Sequence, residues 1–332
     1  MPAIPARLIE TILVSRSSKA SAFPPCGAQL LPPIAPVLAG YSRSIRQGVS
    51  SGVAFSAVVL LAGWILAAPA SSAEIATIIA GLQVTVWSNP APSASPAAVI
   101  VFSHGFHGCA TQSRFIMDAF ANAGYIVFAP NHADATCDGN AQWSEPAEVP
   151  FKHPASWTDA TYIDRHDDIA RLLGALSTDP RYARRVDLTR IGLVGHSLGG
   201  YTVMGLAGAW ASWKIPEVKA VLALSPYSQP FIVHGTLGGM NVPVMYQGGT
   251  RDPGTTPAVD KNGGAYGESL PPKVFVEFGG ATHFAWTNIG VVAHASIVAY
   301  SVAFMNHYVL GTPPDPLLTR ALPDVAVLKF QY

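Results

Sequence analysis

The chain has 332 residues, 49% of them hydrophobic and only 12% charged, against roughly 25% charged in an average soluble protein; a large buried core is therefore available. Twenty basic residues balance 20 acidic ones, which argues against a nucleic-acid partner, because phosphate backbones are met by a basic face. Three cysteines exclude a disulfide-dense scaffold and provide no C-x-x-C spacing for a metal or redox centre.

Residues 1–42 are rich in proline and serine, carry Glu10 as their only acid and lack sustained periodicity. They read as an extended leader or as the product of a start assigned too far upstream. An organellar transit helix fits poorly, because the prolines within 23–36 would break it. Residues 52–68 form an uncharged apolar stretch, with Arg43 and Arg46 upstream and small residues running to Ala73 downstream. A positive flank, apolar centre and small-residue end make a secretory signal. Cleavage is expected after Ala73, with Ala70 the alternative site and an uncleaved membrane anchor the competing reading. Cys26 would leave with the leader. The expected organisation is thus a leader and signal over 1–73 and one catalytic domain over 74–332, in a secreted or periplasmic protein.

Within that domain, short apolar runs alternate with helical ones. A strand is expected at 98–102, then a Gly/His loop at 103–108, a helix near 111–123 and a strand at 125–129. Residues 132–161 hold Trp143, Phe151, Trp157 and several prolines; a connector of that length reads as a loop covering substrate or as a structural excursion. A helix over 162–177 places Ile169, Leu172, Leu173 and Leu176 on one face. Strands follow at 190–194, 220–224, 244–247 and 274–278, and a long apolar helix at 290–309. Continuous apolar strands are covered on both faces, and strands separated by helices form a mainly parallel sheet. The fold class is therefore α/β, a doubly wound parallel sheet in a single domain, with its site at the carboxyl ends of the strands.

Gly195-His196-Ser197-Leu198-Gly199 follows the 190–194 strand and opens a helix. A serine between two glycines at a strand-to-helix turn is the layout of a nucleophile elbow, in which side chains two places away would clash. Two further residues follow strand ends, Asp252 after 244–247 and His283 after 274–278. The order Ser, Asp, His is that of the α/β-hydrolases. An imidazole removes the proton of a weakly nucleophilic hydroxyl, and a carboxylate orients that imidazole. Asp260 and Glu268 lie further from a strand end, His234 precedes the acid, and His294 and His307 fall inside the last helix, so these rank behind. The oxyanion of the tetrahedral intermediate needs two donors, expected from the N–H groups of Leu198 and Phe106. His104 and His107 lack the companions of a metal site, and no cofactor is expected.

The segments GHSLGG, HGFHG, GGTRD and GGATHF together resemble the α/β-hydrolase superfamily over about residues 80–310. The nearest branch resembles the dienelactone hydrolases, close to platelet-activating-factor acetylhydrolase-like esterases and bacterial polyester hydrolases. Dienelactone hydrolases proper use a cysteine nucleophile, whereas position 197 is serine; the resemblance therefore implies a general ester hydrolase rather than lactone chemistry.

Phe106, Phe284, Trp286 and Trp157 are expected around the substrate, either as pocket walls or as core aromatics. Cys109 follows the oxyanion loop and Cys137 the neighbouring strand. Both fall at the same end of adjacent strands, so a Cys109–Cys137 disulfide is expected in an oxidising compartment. The expected activity is carboxylic ester hydrolysis through an acyl-enzyme on Ser197, with a small or polymeric ester as substrate. A membrane partner is expected only if the signal stays uncleaved. The alternatives are a peptidase or acyltransferase on the same three residues, or a catalytically silent binding protein.

Overall fold

The apolar runs of the sequence become the centre of one mixed sheet. The structure is a computed structural model that describes residues 72–89, 95–137 and 151–332. Residues 1–42, the apolar stretch 52–68, Ala70, Cys26 and Trp143 lie outside the described residues, and Ala73 opens the first strand. No helix among the described residues is long and apolar enough to cross a membrane.

In chain order the elements are β1 (Ala73–Ile79), β2 (Leu82–Ser88), β3 (Ala97–Ser103), α1 (Arg114–Asn122), β4 (Ile126–Pro130), α2 (Ile163–Leu176), β5 (Val186–His196), α3 (Leu198–Met204), β6 (Val218–Leu224), α4 (Gln229–His234), β7 (Val244–Arg251), α5 (Thr256–Asp260), α6 (Ala265–Glu268), β8 (Lys273–Thr282), α7 (His294–Tyr308) and β9 (Val325–Gln331). Among the described residues nine strands form one sheet in the order β1-β2-β4-β3-β5-β6-β7-β8-β9. The six strands β3 to β8 run parallel through its centre, while the β1–β2 pair on one side and β9 on the other are joined antiparallel.

The pleat explains the continuous apolar strands, because successive side chains point to opposite faces. In β3, Val99 and Val101 enter one core cluster, together with Leu172 and Leu176 of α2 and Tyr201 of α3. Ala98, Ile100 and Phe102 enter the other, with Ile116 and Phe120 of α1 and Tyr300 and Phe304 of α7. Both faces are buried under helices, and the sheet is doubly wound.

Two expectations are corrected. The last helix begins at His294 rather than 290, because Ala293 turns the chain in the left-handed region at φ 60°. The sequence reading also passed over β1, β2 and β9. β1 and β9 are the edge strands, and β1 leaves Ile75 and Ile78 exposed; β2 lies inside the sheet between β1 and β4, but Gln83 and Thr85 interrupt its apolar run.

Candidate active site

Ser197, Leu198, Asp252, His283, Phe106 and Phe284 gather at the carboxyl ends of β3, β5, β7 and β8, while Cys137 follows β4 and Asp260, Glu268, His234, His294 and His307 lie on helices. Ser197 joins β5 to α3 with φ 56° and ψ −116°, a strained conformation for a residue with a side chain. The flanking glycines make that turn feasible. A Cβ on Gly195 would run into the carbonyl of Gly199, and one on Gly199 into the carbonyl of Ser103. Ser197 Oγ lies 2.9 Å from His283 Nε2. His283 Nδ1 lies 3.2 Å from Asp252 Oδ1, on a carboxylate that is 2% exposed.

Ser225, which the sequence reading missed, stands between them. Its hydroxyl donates to Asp252 Oδ2 at 2.5 Å and its oxygen lies 2.8 Å from His283 Nδ1. Thr255 and Thr256 also donate to Asp252 Oδ2, at 2.6 and 3.2 Å. Burial alone would raise the pKa of Asp252. The hydrogen bond and charge of His283, with the hydroxyls of Ser225 and Thr255, outweigh that and hold it at about 2. The carboxylate is therefore ionised and faces Nδ1, which fixes the Nδ1–H tautomer and leaves Nε2 free to take a proton from Ser197.

The loop after β3 is held from beneath. The buried Arg165 of α2 donates to the carbonyls of His104 (2.8 Å) and Gly105 (3.3 Å) and pairs with both oxygens of Asp134 at 2.8 Å. Burial opposes ionisation of Asp134, but the Arg165 charge prevails and holds it at about 2. Burial pushes His104 and His132 well below the usual imidazole value, and the Arg165 charge adds to it. Neutral, His104 accepts the His132 N–H at Nε2 and donates from Nδ1 to the Gly105 carbonyl at 2.7 Å. His132 reaches Ser103 Oγ through Nε2 and Asp168 through Nδ1.

The N–H groups of this loop are mostly spoken for. Gly105 N–H meets Gln112 Oε1 at 3.1 Å, His107 N–H meets Asp134 Oδ2 at 3.1 Å, and Gly108 N–H meets the Gly105 carbonyl at 2.9 Å. Among the described residues, the N–H groups of Phe106 and Leu198 have no such partner, as donors kept for an oxyanion would be. Cys109 and Cys137 form a disulfide with a Cα–Cα distance of 5.6 Å, tying this loop to the segment after β4.

A cleft of about 1040 Å³ opens over these residues, lined by Phe106, Phe151, Ser197, Tyr227, His283 and Phe284 among others. Phe106 and Phe284 line this cleft. Trp286 and Trp157 do not, and this corrects the expectation. The chain turns back after His283, with Ala285 N–H on the Thr282 carbonyl. Trp286 is thereby fully buried, with its indole N–H donating to Gln247 Oε1 at 2.8 Å. Trp157 is 4% exposed and packs against Phe151, Tyr201 and Tyr227, behind the cleft wall. The segment resumes at 151 as part of that wall, through Phe151 and Lys152. Among the described residues no group of three or more metal-ligating side chains converges.

Comparison with known proteins bears on the same span. Residues 85–296, more than half of the chain, match the Dienelactone hydrolase family. The chain is 29% identical over 219 residues to Cutinase est2 of Thermobifida alba, covering 63% of this chain and 59% of that protein. It is 28% identical over 219 residues to Cutinase est1 of Thermobifida alba, covering 63% and 60%. It is 30% identical over 158 residues to Cutinase 2 of Thermobifida cellulosilytica, covering 45% and 55%. The chain therefore spans less than two thirds of the length of these curated relatives.

Proposed function

The chain belongs to the dienelactone hydrolase family of α/β-hydrolases, and on that premise we propose that it is a serine-dependent carboxylic ester hydrolase. The observation that carries this reading is the 2.9 Å contact between Ser197 Oγ and His283 Nε2 on the floor of an open cleft. In the proposed reaction the Ser197 oxygen attacks the ester carbonyl as its proton passes to His283 Nε2. Asp252 and Ser225 hold Nδ1 and stabilise the imidazolium. The N–H groups of Phe106 and Leu198 receive the oxyanion. His283 then protonates the leaving alcohol, and water, deprotonated by the same imidazole, releases the acid from Ser197. No cofactor enters these steps.

The relatives' names support an ester substrate, including a polymeric one, since they are cutinases. The cleft suits such a substrate: it is open, about 1040 Å³ in volume, and walled by Phe106, Phe151, Tyr227 and Phe284. We place the enzyme outside the cytoplasm, secreted or periplasmic. The apolar stretch 52–68 with its small-residue end and the Cys109–Cys137 disulfide support that location.

Rapid quenching during turnover of a p-nitrophenyl ester tests the mechanism. A burst of p-nitrophenol and an acyl mass on the peptide containing Ser197 are expected. Steady turnover with no acyl mass on that peptide, when the chemistry is made slow with a poor deacylating ester, would contradict it.

A further inference from the structure

Gly105 has no side chain, yet both of its backbone groups are gripped. Its N–H meets Gln112 Oε1 at 3.1 Å, and its carbonyl accepts from His104 Nδ1 at 2.7 Å and Arg165 Nη2 at 3.3 Å. In a trans peptide the carbonyl and the next N–H point to opposite sides. His104 and Arg165 lie outside the cleft, whereas Gly105 and Phe106 line it. Holding the Gly105 carbonyl on Arg165 and His104 therefore turns the Phe106 N–H toward the cleft.

The other end of Gln112 continues the chain of contacts. Its Nε2 lies 3.0 Å from His196 Nδ1, and His196 Nε2 lies 2.8 Å from the carbonyl of His283. The carbonyl requires Nε2 to carry the hydrogen, so Nδ1 accepts from the Gln112 amide. Burial keeps His196 neutral, lowering its pKa to about 3. The same assignment leaves Gln112 Oε1 for Gly105, and a flipped amide would satisfy neither partner. The chain of contacts thus runs from the β3 loop, across the elbow residue next to Ser197, to the backbone of His283. Close packing supports it: a Cβ on Gly105 would stand 3.1 Å from His196 Nδ1 and 3.4 Å from Ser197 Cβ.

We propose that Gln112 and His196 are positioning residues. They form a neutral strap that fixes Gly105 through its N–H, and with it the orientation of the adjoining Gly105–Phe106 peptide as an oxyanion donor, and ties it to the loop carrying His283. This rests on the ester-hydrolase reading. The strap touches no reacting atom, and it acts only through where the Phe106 N–H points when charge develops on the carbonyl oxygen. Its contribution should therefore fall on the transition state and leave ground-state binding unchanged.

The test uses the full chain and two readouts, turnover of p-nitrophenyl acetate and labelling by an alkyl fluorophosphonate. In labelling, the Ser197 oxygen bonds phosphorus as the P–F bond breaks, fluoride leaves and the serine proton passes to His283. Gln112→Leu removes both links of the strap. Its kcat and its labelling rate constant are expected to fall together by about 10- to 100-fold, as for a displaced oxyanion donor, with KM within about twofold of wild type. Unchanged kcat in folded Gln112→Leu would overturn the proposal. So would a raised KM at constant kcat, which would make Gln112 a substrate contact. If Gln112→Leu does not fold, Gln112→Glu is read by the same criteria, since it keeps the acceptor for Gly105 but loses the donor to His196. Wild type that labels but turns over no ester still tests the strap through the labelling rate. Wild type that does neither overturns the ester-hydrolase reading and the strap with it.

Discussion

Ser225 sits closer to His283 than the carboxylate does: Oγ to Nδ1 is 2.8 Å, against 3.2 Å for Asp252 Oδ1. The serine takes φ 44° to get there, at the end of β6. Its hydroxyl donates to Asp252 and accepts from the imidazole, so the His283 ring is oriented by a pair of residues. Ser225→Ala is expected to lower kcat about tenfold with KM unchanged, the worth of one neutral hydrogen bond. Asp252→Asn is expected to cost on the order of 10⁴-fold, because the tautomer itself is lost. Steady-state kinetics on the two variants checks this, and equal losses would mean that Ser225 carries the whole orientation.

Backbone proximity at the elbow makes a second prediction. Gly199→Ala would press a methyl into the Ser103 carbonyl, which is main chain and cannot rotate away. A loss of about 3 kcal/mol is expected, at the upper end of overpacking costs. Gly174 in α2 has nothing within 4 Å of the position its Cβ would occupy, so Gly174→Ala is expected to stabilise by about 0.5–1 kcal/mol. Urea denaturation of the two variants should move in opposite directions. Movement in the same direction would contradict the packing described.

Stability should fall as the solution is acidified well before Asp134 and Asp252 titrate. His104, His132 and His196 are all held below the usual imidazole value of 6.5, first by burial. A base whose folded pKa is depressed binds more protons when unfolded, so its contribution is complete above about pH 6.5 and shrinks as pH drops below that. Asp134 and Asp252, each lowered to about 2, contribute above the ordinary value of 3.8 and lose that only as pH falls through the acid range below it. A urea midpoint lower at pH 5 than at pH 7.5 is expected. A flat midpoint over that range would show that these imidazoles are not buried neutral.

Much of this site was legible because its chemistry follows strand ends. Ser197, Asp252 and His283 each lie one short loop beyond an apolar run, and buried parallel strands announce themselves by being apolar on both faces. Ser225 obeys the same rule, directly after Leu224, and was overlooked because serine beside Pro226 reads as an ordinary turn. Gln112 and His196 gave no signal of this kind, since their contacts join residues 84 and 87 positions apart. Trp286 misled through nearness in sequence: three residues past His283, the turn at 282–285 has already sent the chain back into the core. The edge strands β1 and β9 escaped because their residues are mostly exposed or half-buried and carry no unbroken apolar run.

The central claim is that Ser197 is the nucleophile of an ester hydrolase. Hydrolysis of p-nitrophenyl esters, from acetate to long acyl chains, by wild type and Ser197→Ala tests it most directly. The account expects turnover by wild type, a loss of at least about 10³-fold in Ser197→Ala and an unchanged melting temperature. Equal turnover by both proteins, or none by folded wild type on any ester of the series, would contradict it.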